Sequence, residues 1–74
     1  MSDTRLERAS EQLAGRVRHL RRAKGLTQHQ LAAKAGTSRA TVARIESETV
    51  IPELTTLARI AEALDADVGD LFKG

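Results

Sequence analysis

The 74-residue sequence has no cysteine, tryptophan or tyrosine, and it contains a single phenylalanine and a single proline. Without cysteine, neither a disulfide nor a thiolate-bound metal is available to staple the fold. With Phe72 as the only aromatic, aliphatic residues and alanine must build the core. That composition suits closely packed helices better than a β-sandwich, and Val, Ile and Thr are too few and too scattered for strands. No apolar run approaches the roughly 18 residues that a membrane span requires, and the opening MSDTRLERASEQ carries no signal-peptide apolar region. A cytoplasmic protein with no membrane partner is expected. Motifs of catalysis are missing as well. There is no glycine-rich phosphate loop and no nucleophile motif. His19 and His29 are joined to no carboxylate, and Asp65, Asp67 and Asp70 lack the glycine and terminal glutamate of a calcium loop. Helix capping explains those aspartates better. The expectation is therefore no enzyme, no catalytic residue, no metal and no cofactor.

One further absence is informative. Between Glu11 and Glu46 the chain has no acidic residue, while Arg16, Arg18, Arg21, Arg22, Lys24, Lys34, Arg39 and Arg44 are all basic. A net charge of +2 hides this block, because the remainder of the chain is acidic. With 41% hydrophobic and 30% charged residues the chain is globular rather than disordered. Its length leaves room for one domain and one small core. Residues 1–12 read as a polar extension whose first part either frays or lengthens the first helix, and residues 13–74 read as the domain itself.

Leu13, Val17 and Leu20 recur at helical spacing and predict a first helix with one buried face, stopped at Gly25. Thr27-Gln28-His29-Gln30 has the form of a capping box, and Leu31, Ala32 and Ala35 give the second helix its buried side. Gly36 supplies a left-handed turn, Ser38 an N-cap, and a third helix to about Ser47 buries Val42 and Ile45. After a connection at 47–53 marked by Pro52, the residues Leu54, Leu57, Ala58, Ala61 and Leu64 make a fourth helix amphipathic. Asp67 then caps a short final helical turn carrying Val68, Leu71 and Phe72. This is an all-α chain of five helices. Its segment 27–46, a capped helix, an Ala–Gly turn and a second short helix with basic and small polar residues, has the spacing of a helix-turn-helix. That unit places its second helix in the DNA major groove. Because Val42 and Ile45 must point inward, positions 39, 40, 43 and 44 are left on the outer face. Arg39 and Arg44 can each donate two hydrogen bonds to guanine, and the methyls of Ala40, Thr41 and Ala43 can touch thymine.

The stretches LRRAKGLTQHQLA at 20–32, GTSRATVARIE at 36–46, Pro52 and LTTLARIAEALDADVGDLF at 54–72 together resemble the lambda-repressor-like, Xre/Cro-type transcriptional regulators. The resemblance covers about residues 13–73. It implies five helices around one core, with the second and third forming the DNA-reading unit. It also implies that Gln28 binds phosphate and braces a base-reading side chain, and that Ser38, Arg39, Ala40, Thr41, Ala43 and Arg44 face the DNA. The positions of Arg21 and Glu46 match a partly buried ion pair joining the first and third helices, which is a structural role. Arg16, Arg18 and Arg22 are basic residues of the first helix that either touch phosphate or contribute only field. The sequence departs from the pattern after the third helix. Relatives commonly have glycine two residues past the glutamate, then basic or amide residues. Here Glu48, Thr49, Val50 and Ile51 stand instead. Glu48 would repel phosphate if it faced DNA, which leaves Ser47 and Thr49 as donors.

One recognition helix reads few bases, so a homodimer on a roughly palindromic operator is expected, with half-sites about one helical turn, ~34 Å, apart. A final helix so short cannot bury Val68, Leu71 and Phe72 fully on one side. An isologous contact through these residues, with Val50 and Ile51, is therefore expected. The alternative is that Phe72 simply plugs the protomer's core. With no sensor domain visible, regulation is expected to come from concentration, dimerisation or a partner. The resemblance spans phage-type repressors, restriction–modification controllers and antitoxins. An antitoxin-type module, whose acidic C-terminal half holds a basic protein such as a toxin, is the alternative to a regulator of transcription.

Overall fold

The computed structural model describes residues 4–73. Residues 1–3 of the expected extension, and Gly74, lie outside the described residues. Four α-helices follow one another: α1 (Thr4–Ala23), α2 (Gln28–Ala35), α3 (Arg39–Glu46) and α4 (Leu54–Ala63). A 3-10 helix (Val68–Phe72) completes the order, so the fifth helical element is the tighter form. Among the described residues there is no strand, and no helix is long and apolar enough to cross a membrane. Residues 4–12 belong to α1, which makes it the longest helix at 20 residues.

The four α-helices end in the same way. The residue after each helix's last turn sits in the left-handed region: Gly25 at φ 69°, Gly36 at 71°, Glu48 at 62° and Asp65 at 55°. In each case the next amide reaches back to the carbonyl five residues earlier: Leu26 to Arg21, Thr37 to Ala32, Thr49 to Arg44 and Ala66 to Ala61. This arrangement satisfies carbonyls that a helix end leaves unpaired. Two of the four positions are glycine, which needs no compensation there, and two carry a side chain that is penalised by its Cβ.

The core is aliphatic. Leu13 and Val17 of α1, Leu31, Ala32 and Ala35 of α2, and Val42 and Ile45 of α3 meet Leu57, Ile60, Ala61, Ala63 and Leu64 of the α4 region and Leu71 of the 3-10 helix. Leu20, Leu26, Ala66, Val68 and Phe72 pack against this cluster while half-buried. Two expectations for α4 need correction. Leu54 is 71% exposed and Ala58 is exposed, whereas Ile60 is fully buried. The buried stripe therefore runs 57, 60, 61, 63 and 64, and Leu54 lies exposed one turn before it. Leu71 also needs correction as a partner-facing residue. It is fully buried inside the protomer, so it has no surface to offer a second copy.

Candidate nucleic-acid interface

The α2–turn–α3 unit is set by its caps. Thr27 Oγ1 accepts the Gln30 amide at 3.0 Å, while the Gln30 side chain accepts the Thr27 amide at 2.8 Å, closing a capping box. Ser38 Oγ accepts the Thr41 amide at 3.1 Å and lies 2.9 Å from Thr41 Oγ1. With the start of α3 fixed, Val42, Ile45 and Glu46 turn inward. Ser38, Arg39, Ala40 and Arg44 are exposed on the opposite side, and Thr41 and Ala43 are half-buried at its edges. The outer face is thus a short surface with an arginine at each end and small side chains between them. Such a surface can approach a groove closely and present guanidinium groups to base edges.

Behind this face stands a buried polar knot. Arg21 Nε donates to Glu46 Oε2 at 2.7 Å and Arg21 Nη2 to Glu46 Oε1 at 2.9 Å, a bidentate pair joining α1 to α3. Arg21 Nη1 also donates to the Leu26 carbonyl at 2.9 Å, and Gln28 Nε2 donates to Glu46 Oε1 at 3.2 Å. Arg18 Nη1 donates to the Glu46 backbone carbonyl at 3.1 Å, capping the C-terminal end of α3. One carboxylate thus collects α1, α2 and α3 at one point. Burial pushes the Glu46 carboxyl up, but hydrogen bonds from Arg21 and Gln28, with the charges of Arg21 and Arg18, hold it below its ordinary value. The bond to Glu46 in turn raises Arg21 against the cost of its own burial.

The remaining basic and hydroxyl residues expected at phosphate are placed differently from one another. Gln28 and Arg18 lie beside α3, each already bonded to Glu46. Arg16 is not brought there. Its Nε donates to the Asp70 carbonyl at 3.1 Å and ties α1 to the 3-10 helix. Ser47 Oγ donates to the Arg44 carbonyl at 3.2 Å and lies 2.7 Å from Thr49 Oγ1, so both hydroxyls sit together at the exposed end of α3. Sequence reasoning missed Arg18 as a helix cap, because nothing in the spacing of charges tells a guanidinium facing a carbonyl from one facing solvent. Among the described residues no three His, Cys, Asp or Glu side chains come together to hold a metal. Asp65 pairs with Lys24, and Asp70 pairs with Lys73 and accepts the Asp67 amide.

These features define a helix-turn-helix DNA-binding domain. The HTH_3 helix-turn-helix family model matches residues 17–71, and the chain belongs to that family. Among solved structures it is similar to the restriction-modification controller protein C.AhdI from Aeromonas hydrophila, at 35% identity and a TM-score of 0.81, over 85% of this chain and 96% of that one. It is also similar to the hypothetical transcription factor NHTF from Neisseria, at 28% identity and a TM-score of 0.84, over 88% and 75% of the two chains. A third likeness is to the clp gene regulator ClgR from Corynebacterium glutamicum, at 28% identity and 0.79, over 85% and 67%. No curated protein matches the chain. The protein therefore has the fold of helix-turn-helix transcription regulators, and those neighbours are regulators rather than enzymes.

Proposed function

We propose that the protein is a sequence-specific regulator of transcription that binds double-stranded DNA as a homodimer, with α3 in the major groove of a roughly palindromic operator. One observation carries this reading: the exposed face of α3, Arg39-Ala40 and Ala43-Arg44, is backed by the Arg21–Glu46–Gln28 knot and lies within the acid-free stretch 12–45. Arg39, Ala40, Thr41, Ala43 and Arg44 are the base-reading set. Ser38, Gln28, Arg18, Ser47 and Thr49 surround it and supply phosphate contacts, which position the helix without specifying bases. Arg16 contributes through charge alone, since its guanidinium faces the 3-10 helix.

Within the family, the likeness to a restriction–modification controller favours a control protein of that kind, because it extends over 96% of the controller's own length. Pairing is proposed through the face that carries Val50 and Ile51. These residues and Leu54 are exposed, while Val68 and Phe72 pack against the protomer's own core.

Selection of bound sequences from a random DNA pool tests this function. The expected product is an enriched site of two half-sites about one helical turn apart. A pool that shows no enrichment after repeated rounds would contradict sequence-specific binding, and enrichment of single, unpaired half-sites would contradict the dimer.

A further inference from the structure

The carboxylate that pairs with Arg21 also holds Gln28, the first residue of α2. Two bonds from Arg21, at 2.7 Å to Oε2 and 2.9 Å to Oε1, fix the Glu46 carboxylate in one orientation. Its Oε1 then accepts Gln28 Nε2 at 3.2 Å. An ionised carboxylate can only accept hydrogen bonds, whereas an amide has a donating end and an accepting end. The nitrogen end of Gln28 must therefore face Glu46, because the turned amide would set oxygen against oxygen. That leaves the carbonyl end of a half-buried side chain to face away. Gln28 Oε1 takes no hydrogen bond among the described residues, and no buried side-chain oxygen there lacks a partner, so Oε1 is open to water.

An outward acceptor calls for a donor, and an arginine is a donor only. The exposed face of α3 offers two. Arg39 shares one ridge of the helix with Ala43 and Glu46, at spacings of four and three residues, and the alanine between them adds only a methyl. Arg44 lies further round, where it lines a cleft with Thr41, Pro52 and Thr56. Arg39 is exposed and bonds to nothing among the described residues, so its guanidinium is available. We infer that Glu46 is a positioning residue for base reading. By holding the nitrogen end of the Gln28 amide it turns the carbonyl outward, and that carbonyl steadies the Arg39 guanidinium against a guanine. A guanidinium has N–H groups enough for both partners. The inference rests on the base-reading role proposed above for Arg39 and names the residue that sets it.

The test is affinity for the selected site and for duplexes altered at each arginine's base pair, which Arg39→Ala and Arg44→Ala identify, with folding checked by circular dichroism. Glu46→Gln has a neutral amide that can turn either end to Gln28. It should lower the preference at the Arg39 base pair roughly fivefold, the scale of one hydrogen bond, and leave that at the Arg44 base pair unchanged. Gln28→Met should do the same, and the two changes together should cost no more than either alone. No loss at the Arg39 base pair, or equal loss at both, would overturn the inference, since a carboxylate that only holds α3 in place acts on both alike. Should Glu46→Gln fold poorly, nuclear magnetic resonance reads the orientation in the wild type. The two side-chain amide protons of Gln28 should be separated more widely than those of Gln30, whose bonded end is its oxygen. Equal separations would overturn the inference and leave the role of Arg39 standing. An Arg39→Ala variant that loses affinity equally on every duplex would overturn both.

Discussion

Glu46 carries the most consequence of any single side chain. Its carboxylate is buried, takes two hydrogen bonds from Arg21 and one from Gln28, and sits below its ordinary pKa. A carboxyl depressed in the folded state stabilises the fold above its unfolded value, and that contribution is lost as pH falls through the folded value. Chemical denaturation between about pH 3 and 6 should therefore show stability dropping on the acid side for the wild type. The drop should be shallower for Glu46→Gln, which starts lower and has no proton to gain. Arg21→Ala strands the carboxylate and should cost about 3 kcal/mol, the lower end of the range for breaking a buried pair, because the guanidinium keeps slight exposure. A melt no lower than that of Arg22→Ala would contradict the structural role. On the outer face the expectation is different in kind. Arg39→Ala and Arg44→Ala should leave stability nearly unchanged, yet each should lose roughly 1–3 kcal/mol of preference at one or two base pairs. Equal loss on the selected site and on random DNA, measured by fluorescence anisotropy, would make them backbone contacts only.

Among the elements, the helix ends show what could be read in the chain and what could not. Gly25 and Gly36 announce their turns, because glycine there has a local reason. Glu48 and Asp65 adopt the same left-handed geometry without any such signal. At both positions the next amide closes the same back-reaching hydrogen bond, from Thr49 to Arg44 and from Ala66 to Ala61, which the residue type at 48 or 65 does not announce. Leu54 was misjudged because its period fits the buried stripe of α4, and period alone does not show how far along a helix the stripe is covered. The capping box at Thr27, the N-cap at Ser38 and the inward Val42 and Ile45 depend on local chemistry and period, and all were legible. The strained end of α3 yields a prediction. Glu48→Gly should raise stability by about 1 kcal/mol by removing the Cβ penalty at φ 62°, whereas Glu48→Ala should give no gain because alanine keeps the Cβ. Urea denaturation of both variants checks this. A matching gain from Glu48→Ala would place the cost in the charge instead of the backbone.

On the scale of the whole molecule, charge is divided by sequence and gathered by the fold. The acid-free stretch 12–45 supplies the second half of α1, all of α2 and α3 up to Ile45, while the carboxylates lie at the start of the chain and from Glu46 onward. Composition alone gave a nearly neutral chain, and only the position of each charge along it showed the basic block. Arg39 and Arg44 were legible as outward from the helical period, but the roles of the first helix's arginines were not, since Arg16 and Arg18 each commit a guanidinium N–H to a backbone carbonyl of the protein itself. Every role proposed for this molecule rests on the basic face around α3 binding DNA and reading its sequence. The most direct test is the affinity for the selected site and for a shuffled duplex, measured across a series of salt concentrations. If about six phosphates are neutralised, log K should fall with log salt at a slope of about −5, and the selected site should bind at least about a thousandfold tighter than the shuffled one at physiological salt. Equal affinity for the two duplexes, with a slope near zero, would contradict it.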